Sequence, residues 1–376
     1  MPIKSHPESL LFHFSVLVDP RIDRTKDHSL SDILLTALCA MLCGAEGFLD
    51  FERFGNARLE WLRTFLPLPN GIPSHDTFRR VFALLDPSPF TECFRNGTEG
   101  LRKSVAAEIV AIDGKSVRRS HHRTKGKGPI HMVSAWAREN GLVLGQIKVD
   151  DKSNEITAIP ELLGSLALAG CIVTIDAMGC QRNIASEIVK AGADYVLALK
   201  GNQSTLHEEV KILMKETQDG GFAGVTCDVL ETNERAHGRK ETRRYSITRA
   251  VECLTQHSLW ENLSSVGMVE SVREIQGAMT TERRFFLCSI KADAREFARA
   301  VRGQWAIENT LHWSLDVTFR EDQCRVRTEF AVQNLAVLRH LTLNILKSEP
   351  TSNRGIKGKQ KDAAWDSSYL LKLLRF

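Results

Sequence analysis

Three acids in the chain stand where acids could do chemistry. Asp113 follows the apolar run "IVAI" at 109–112 and precedes Gly114. Asp176 follows "IVTI" at 172–175 in the same way, within "CIVTIDAMGCQ". A charged carboxylate at the edge of a core is costly unless something pairs with it. The third acid lies in "VRGQWAIENTLHWSLDVTF". Helical spacing there puts Val301, Trp305, Glu308, His312, Leu315 and Phe319 on one face, with Glu308 as the acid in a largely apolar stripe. Taken singly, an Asp after a strand is a turn former or an N-cap, and Glu308 is solvated or paired with His312. Taken together, carboxylates converging at the ends of strands bind hard cations such as Mg²⁺ or Mn²⁺ through oxygen. Two such ions ~3.5–4 Å apart activate a water or hydroxyl and stabilise the leaving oxygen in phosphodiester chemistry.

The elements that must position these acids follow from hydrophobic period and turn residues. Residues 1–100 read as helical, with a Ser cap at 29 or 31 and Ser74 or Asp76 capping a short helix that ends before Pro87. From 108 the pattern changes to a strand, then two strands joined at Glu139-Asn140-Gly141, a hairpin signal. Helices and strands then alternate to about 217. This order predicts an α/β sheet that begins antiparallel and continues through crossover units. Both aspartates then sit at the carboxyl ends of strands, where open α/β sheets carry their sites. Gly179 and the small residues near it would leave room beside Asp176 for metal and phosphate. Residues 220–290 read as a mostly β insertion, 293–321 as helix and 330–349 as a further amphipathic helix. The segment 349–376 reads as a basic tail carrying Lys357, Lys359 and Lys361, with "SYLLKLLRF" as a last helix.

Composition bounds the class. The chain has 376 residues, 43% hydrophobic and 26% charged, enough for two or three domains with a real core. Its longest nearly uncharged run, 33–45, is too short to span a bilayer and predicts a buried helix. No secretory signal pattern opens the sequence. Nine cysteines without a CxxC pair predict reduced thiols and a cytoplasmic setting; Cys39 and Cys43 read as core residues. Net charge is only +4, yet two segments are strongly basic: "KSVRRSHHRTKGK" at 115–127 and "RAHGRKETRRYSITR" at 235–249. Such blocks are solvated loops or grips for a polyanion. Within them Lys115, Arg118, His237, Arg239 and Arg243 are candidate DNA contacts, joined by Lys200 and Asn202 in "LKGNQ" just past a strand. Glu321 and Asp322 in "FREDQCR" are alternative metal ligands, and Trp305 and Trp313 read as core.

Nearly end to end, the chain resembles the DDE transposases of bacterial insertion sequences, specifically the H-repeat-associated (ISAs) group. The resemblance is carried by "LSDILLTALCAMLCGAEGFLDFERFG", "NGIPSHDTFRRVF", "AIDGKSVRRS", "DDKSNEITAIPELL", "TIDAMGCQ", "LALKGNQ", "HGRKETR" and "WAIENTLHWSLDVTFRED". It implies a helical N-terminal domain at 1–100 and an RNase H-like catalytic core at 105–348. That core would be interrupted by the β-rich insertion at about 220–290. It also implies that Asp113, Asp176 and Glu308 form the triad, holding two Mg²⁺ or Mn²⁺ ions. The implied partner is DNA, at element ends and target, bound by a homodimer or larger synaptic complex and not by a membrane protein. One departure is visible. Related transposases carry a Tyr-Arg-Glu-Lys signature around the last acid; here Val301, Gln304 and Leu315 stand where Tyr, Arg and Lys would, and Arg302 is a candidate substitute phosphate contact. The expected activity is metal-dependent DNA cleavage and strand transfer. The alternatives are an RNase H-fold nuclease that cuts without joining and a catalytically silent DNA-binding descendant.

Overall fold

The structure, a computed structural model, describes residues 14–103, 105–121, 128–150, 153–220, 227–236, 239–276 and 278–374. Among these, nine strands form one sheet: β1 (Ile109–Ser116), β2 (His131–Ala137), β3 (Leu142–Lys148), β4 (Ile172–Ile175), β5 (Asp194–Leu199), β6 (Cys227–Ala236), β7 (Arg239–Thr248), β8 (Ser265–Ile275) and β9 (Ala278–Cys288). Their spatial order is β3-β2-β1-β4-β5-β9-β8-β7-β6. β1, β4 and β5 are parallel, while β2 pairs antiparallel with β1 and β3 pairs antiparallel with β2. This is the α/β, RNase H-like arrangement the resemblance implies. The insertion does not form a separate module. β9 pairs antiparallel with β5, Leu197 opposite Leu287, so β6–β9 prolong the same sheet.

The central strands are apolar because both of their faces are covered. Val110, Ile112, Val173 and Ile175 pack against α6 (Glu155–Gly164), α7 (Arg182–Lys190) and α8 (Ser204–Gln218). On the other face Ile109, Ile172 and Val196 meet α9 (Ala294–Ala306) through Phe297, Ala300 and Val301. At Gly303 this helix comes so near β1 that a Cβ would lie 2.4 Å from Ile109 Cγ2. Any side chain at 303 would push the helix off the strand.

The N-terminal layer contains α1 (Leu30–Leu42), α2 (Phe48–Ala57), α3 (Leu59–Leu62), α4 (His75–Leu84) and α5 (Pro87–Glu99). Ser29 caps α1 by accepting from the Asp32 amide, and Ser74 caps α4 through the Thr77 amide. The run expected as a buried helix is one: from Ile33 to Leu42 every residue of α1 is buried. It shares its core with α10 (Glu329–Ser348) and, through Ala111, Trp136 and Val143, with the sheet itself. The nine cysteines are all free. No described helix is long and apolar enough to cross a membrane.

The last residues differ from a free basic tail. They form α11 (Ile356–Trp365) and α12 (Ser367–Leu373), which bury Ala363, Leu370 and Leu373 in the N-terminal core. Lys359 is buried and donates to the Leu346 and Glu349 carbonyls, 2.9 and 2.5 Å away. Gln360 donates to the Met41 carbonyl of α1. The segment is anchored at Glu349, whose buried carboxylate accepts from the Thr351 amide (2.8 Å), the Ser352 amide (3.1 Å), the Tyr369 hydroxyl (3.0 Å) and Lys372 Nζ (3.0 Å). Burial alone would raise its pKa, but these donors outweigh it and hold the acid at about 2. The stability drawn from this carboxylate is complete above its ordinary value of 4.5 and is lost as pH falls through about 2. Glu349→Gln should therefore flatten the fall in melting temperature across that window, and Glu349→Ala should cost more than about 2 kcal/mol by leaving buried donors unpaired. A variant whose melting curve keeps the wild-type dependence on pH would contradict this.

Candidate active site

Asp113 does not end its strand. β1 continues to Ser116, pairing antiparallel with β2 as far as His131, but its parallel partner β4 stops at the Ile112–Ile175 pair. The residues that follow that pair are Asp113 and Asp176. Register alone therefore sets the two acids side by side at the point where β4 runs out. Glu308 reaches the same place from across the sheet. The helix of α9 continues beyond Ala306 as a π-helical stretch, Ile307–His312 and then Ser314–Thr318. Asp113, Asp176 and Glu308 line one cleft of about 560 Å³, together with Lys200, Trp305 and Arg284.

The charges in the cleft are unbalanced. Burial, opposed by the Gly114 amide and aided by the charges of Asp176, Glu308 and Glu155, pushes the Asp113 carboxyl up to about 7. Asp176 Oδ1 accepts from the Met178 amide (3.0 Å) and the Gly179 amide (3.4 Å), so it also forms the turn after β4. Gly179 is small for a different reason from the one expected. A Cβ there would lie 2.3 Å from Ile175 Cγ2, so the glycine makes room for the core and not for the cleft. His312 does not pair with Glu308. Its Nδ1 lies 3.6 Å from Asp113 Oδ2, and burial, aided by the charge of Lys115, holds the ring at about 4 and hence neutral at pH 7. Glu155, held by His131 at 2.6 Å, is a further acid whose charge Asp113 feels.

Gln304, one turn before Glu308, ties the strands together. Its Nε2 donates to the Ile112 carbonyl (3.0 Å) and its Oε1 accepts from Thr174 Oγ1 (2.8 Å). The amide thus joins β1 and β4 immediately before their aspartates. A guanidinium in its place could donate to Ile112 but could not accept from Thr174. The Gln that stands where the resemblance led one to expect Arg is, in this chain, a strand clamp.

Several residues expected at DNA have other partners. Lys115 Nζ is only 12% exposed and lies 2.7 Å from Asp316, 3.3 Å from Glu321 and 3.2 Å from Asp322. Burial disfavours its charge, but these acids outweigh that and raise its pKa. Glu321, also bound by Arg339 at 3.4 Å, and Asp322 are thereby committed to cations of the fold and are absent from the cleft lining. Arg118 reaches Asp322 at 3.1 Å yet stays 80% exposed. Asn202 donates to the Ala177 carbonyl (2.7 Å) and steadies the turn after Asp176. Arg243 is buried between Glu234 (3.0 Å) and Glu241 (2.9 Å), and Arg302 is bound to Glu234. Lys200 remains in the cleft. His237 lies outside the described residues; Arg239 begins β7, with only its backbone described. Trp305 is no simple core residue. It lines the cleft with the guanidiniums of Arg243 and Arg284 over its ring at 5.1 and 5.2 Å. Trp313 is 57% exposed.

Sequence reasoning gave no role to Asp316 and Glu155, offered Glu308 and not Asp113 as the partner of His312, and read Gln304 only as a departure from Arg. Helical spacing puts Gln304 one turn before Glu308, but only the register of β1 on β4 shows what it bridges.

A sheet in the order β3-β2-β1-β4-β5, with acids aligned where its parallel strands end, defines a chain of the RNase H-like superfamily. Comparison with known proteins narrows this. A family model described as "Transposase DDE domain" matches residues 106–345, and one described as "DDE_Tnp_1-associated" matches residues 11–96. The "H repeat-associated putative transposase YhhI" of Escherichia coli (strain K12) is 39% identical over 98% of both chains. The "Putative transposase YncI" of Escherichia coli O157:H7 is 40% identical over 98% of this chain and 94% of its own. A protein of Xanthobacter autotrophicus, "Uncharacterized protein in dhlA 3'region", is 46% identical over 74% of this chain and 94% of its own. The chain belongs to the DDE transposase family, among its H-repeat-associated members.

The contrast between Lys115 and Arg118 can be measured. Lys115→Ala leaves three acids facing one another in a largely buried site and should cost roughly 3–5 kcal/mol in urea unfolding. Arg118→Ala removes an exposed pair and should stay within about 0.5 kcal/mol of wild type. Equal, small losses would show that Lys115 is a solvated loop residue after all.

Proposed function

We propose that the protein is a DNA transposase that cuts a phosphodiester at an element end and joins the freed 3′-hydroxyl to target DNA. In this reading Asp113, Asp176 and Glu308 hold divalent cations, Mg²⁺ or Mn²⁺. The observation that carries the reading is that two aspartates adjacent in register and a glutamate from an opposing helix line one cleft in a chain of this family. The donor chemistry suits a hard cation, since all three are carboxylates. Burial, with the like charges of Asp176, Glu308 and Glu155 added to it, pushes Asp113 to about 7 and marks a place short of positive charge. When bound, the cations supply an activated oxygen nucleophile and stabilise the leaving oxygen. Among the described residues no three His, Cys, Asp or Glu side chains already stand as a ligand set. The acids therefore have to turn toward one another. Glu308, exposed at the cleft's mouth, has the most room to do so.

The chain's own residues supply position. Gln304 fixes the spacing of the two aspartates, and neutral His312 lies against Asp113 without cancelling its charge. Lys200 and Arg284 face the cleft, where a phosphate would meet them. The absence of a ready ligand set favours one second reading, a family member that binds DNA without cutting it. That protein would bind duplex with a steep salt dependence and give no product with Mg²⁺ or Mn²⁺.

Asp176→Asn keeps the turn-forming oxygen and removes the charge. It should abolish cleavage of an element-end duplex and leave binding intact; cleavage near the wild-type rate would sink the proposal. Gln304→Leu should slow cleavage roughly 10–100-fold, as loss of a group that orients metal-binding residues does, again with binding unchanged. Wild-type rates from that variant would reduce the clamp to a packing contact.

A further inference from the structure

With Lys115, Arg243 and Arg302 committed to carboxylates, the arginines free to meet a polyanion lie elsewhere. Beyond the turn Glu321–Gln323 the chain passes, as neither helix nor strand, through Cys324, Arg325, Val326 and Arg327. Cys324 and Val326 pack against the N-terminal core, while Arg325 and Arg327 are exposed. Neither arginine has an ion pair among the described residues. Both line a groove of about 500 Å³, closed on its far wall by Arg79 of α4 and by Phe48 of α2. The acid in that lining, Glu46, is already bonded to Arg320 at 3.3 Å. Arg79 is paired with Asp76 on its own helix, an exposed contact of little strength.

The segment is tied to the strand of the candidate active site. Asp322, just before Cys324, is held by Lys115 at 3.2 Å and by Arg118 at 3.1 Å. Lys115 stands two residues beyond Asp113 on the same strand. Arg118 is thus joined through Asp322 to the segment that carries Arg325 and Arg327, and these two share their groove with Arg79 of the helical layer.

We propose that this groove is a second DNA-backbone site, which grips the duplex flanking the bond cut in the cleft. The N-terminal helical layer then has a defined part: it forms the groove's second wall. The inference rests on the transposase reading for its choice of duplex DNA over an acidic protein surface. Each phosphate neutralised by a basic side chain adds about −0.9 to the slope of log K against log [salt].

The test uses the full chain with an element-end duplex in EDTA, so that no cutting occurs, and measures affinity across a NaCl series. The double variant Arg325→Ala/Arg327→Ala should flatten the slope by about 1.8 and weaken binding at every salt concentration. Arg325→Glu/Arg327→Glu should weaken it further. Both side chains are exposed, so the melting temperature should match wild type and confirm an intact fold. Wild-type slope and affinity in both variants would overturn the site while leaving the transposase reading standing, since Asp176→Asn tests that separately. A wild-type protein that binds no duplex at all would overturn both.

Discussion

Two like charges held side by side at the end of a sheet are the constraint around which this structure is built. Backbone register sets Asp113 next to Asp176, and neighbouring strands lie only about 4.8 Å apart. Coulomb repulsion and desolvation both work against that placement, as the upward shift of Asp113 shows. What resists them is the apolar pairing of 109–112 with 172–175, buried on both faces. A single amide, Gln304, then bonds both strands at the last positions before the acids. Repulsion that would splay the two strands where their pairing ends acts here on strands that are tied.

The third acid depends on a change of helical pitch. α9 is an ordinary amphipathic helix whose face of Phe297, Ala300 and Val301 lies on the sheet. From Ile307 the turns widen to π-helix, which adds residues per turn and rotates the following side chains relative to a regular helix. A regular wheel groups Val301, Trp305, Glu308, His312, Leu315 and Phe319. In the structure they part company. Val301, Leu315 and Phe319 are buried, Glu308 opens to the cleft and His312 turns to Asp113. Asp316, beyond it, meets Lys115 of β1. The widened stretch is therefore bound to the strand of Asp113 at two points, and Glu308 is placed between them and α9.

Local pattern made much of this legible. Apolar runs marked the strands, the hairpin at Asn140-Gly141 fell where its turn residues put it, and Ser29 and Ser74 cap the helices they precede. The acids stood out because each interrupts its run. What could not be read depends on partners distant in sequence. Lys115 meets acids some 200 residues away, so a basic loop and a buried ion network look alike before folding. Arg243 stood in a basic block that reads as a solvated loop or a grip for DNA; pairing of β7 with both β6 and β8 puts it inside the sheet with Glu234 and Glu241 in reach. The insertion read correctly as strands, but no local signal told that β9 would join β5 and make one sheet of two.

That union bears on how the site is held. Because β9 continues the sheet, its residues Glu282 to Phe286 form a wall of the cleft, opposite the acids' own strands. From the same strands Arg284 and Arg243 lie over Trp305, and Glu234 of β6 binds Arg302. Those contacts all fall on the last two turns of α9. Gln304, in the same two turns, is bonded to β1 and β4. The helix that leads to Glu308 is thus fastened on one side to the strands of the two aspartates and on the other to the insertion. Displacing the insertion would strain the Gln304 bonds before it moved Glu308 freely. The acids of the cleft are, for this reason, positioned jointly by parts of the chain that the sequence presents as separate.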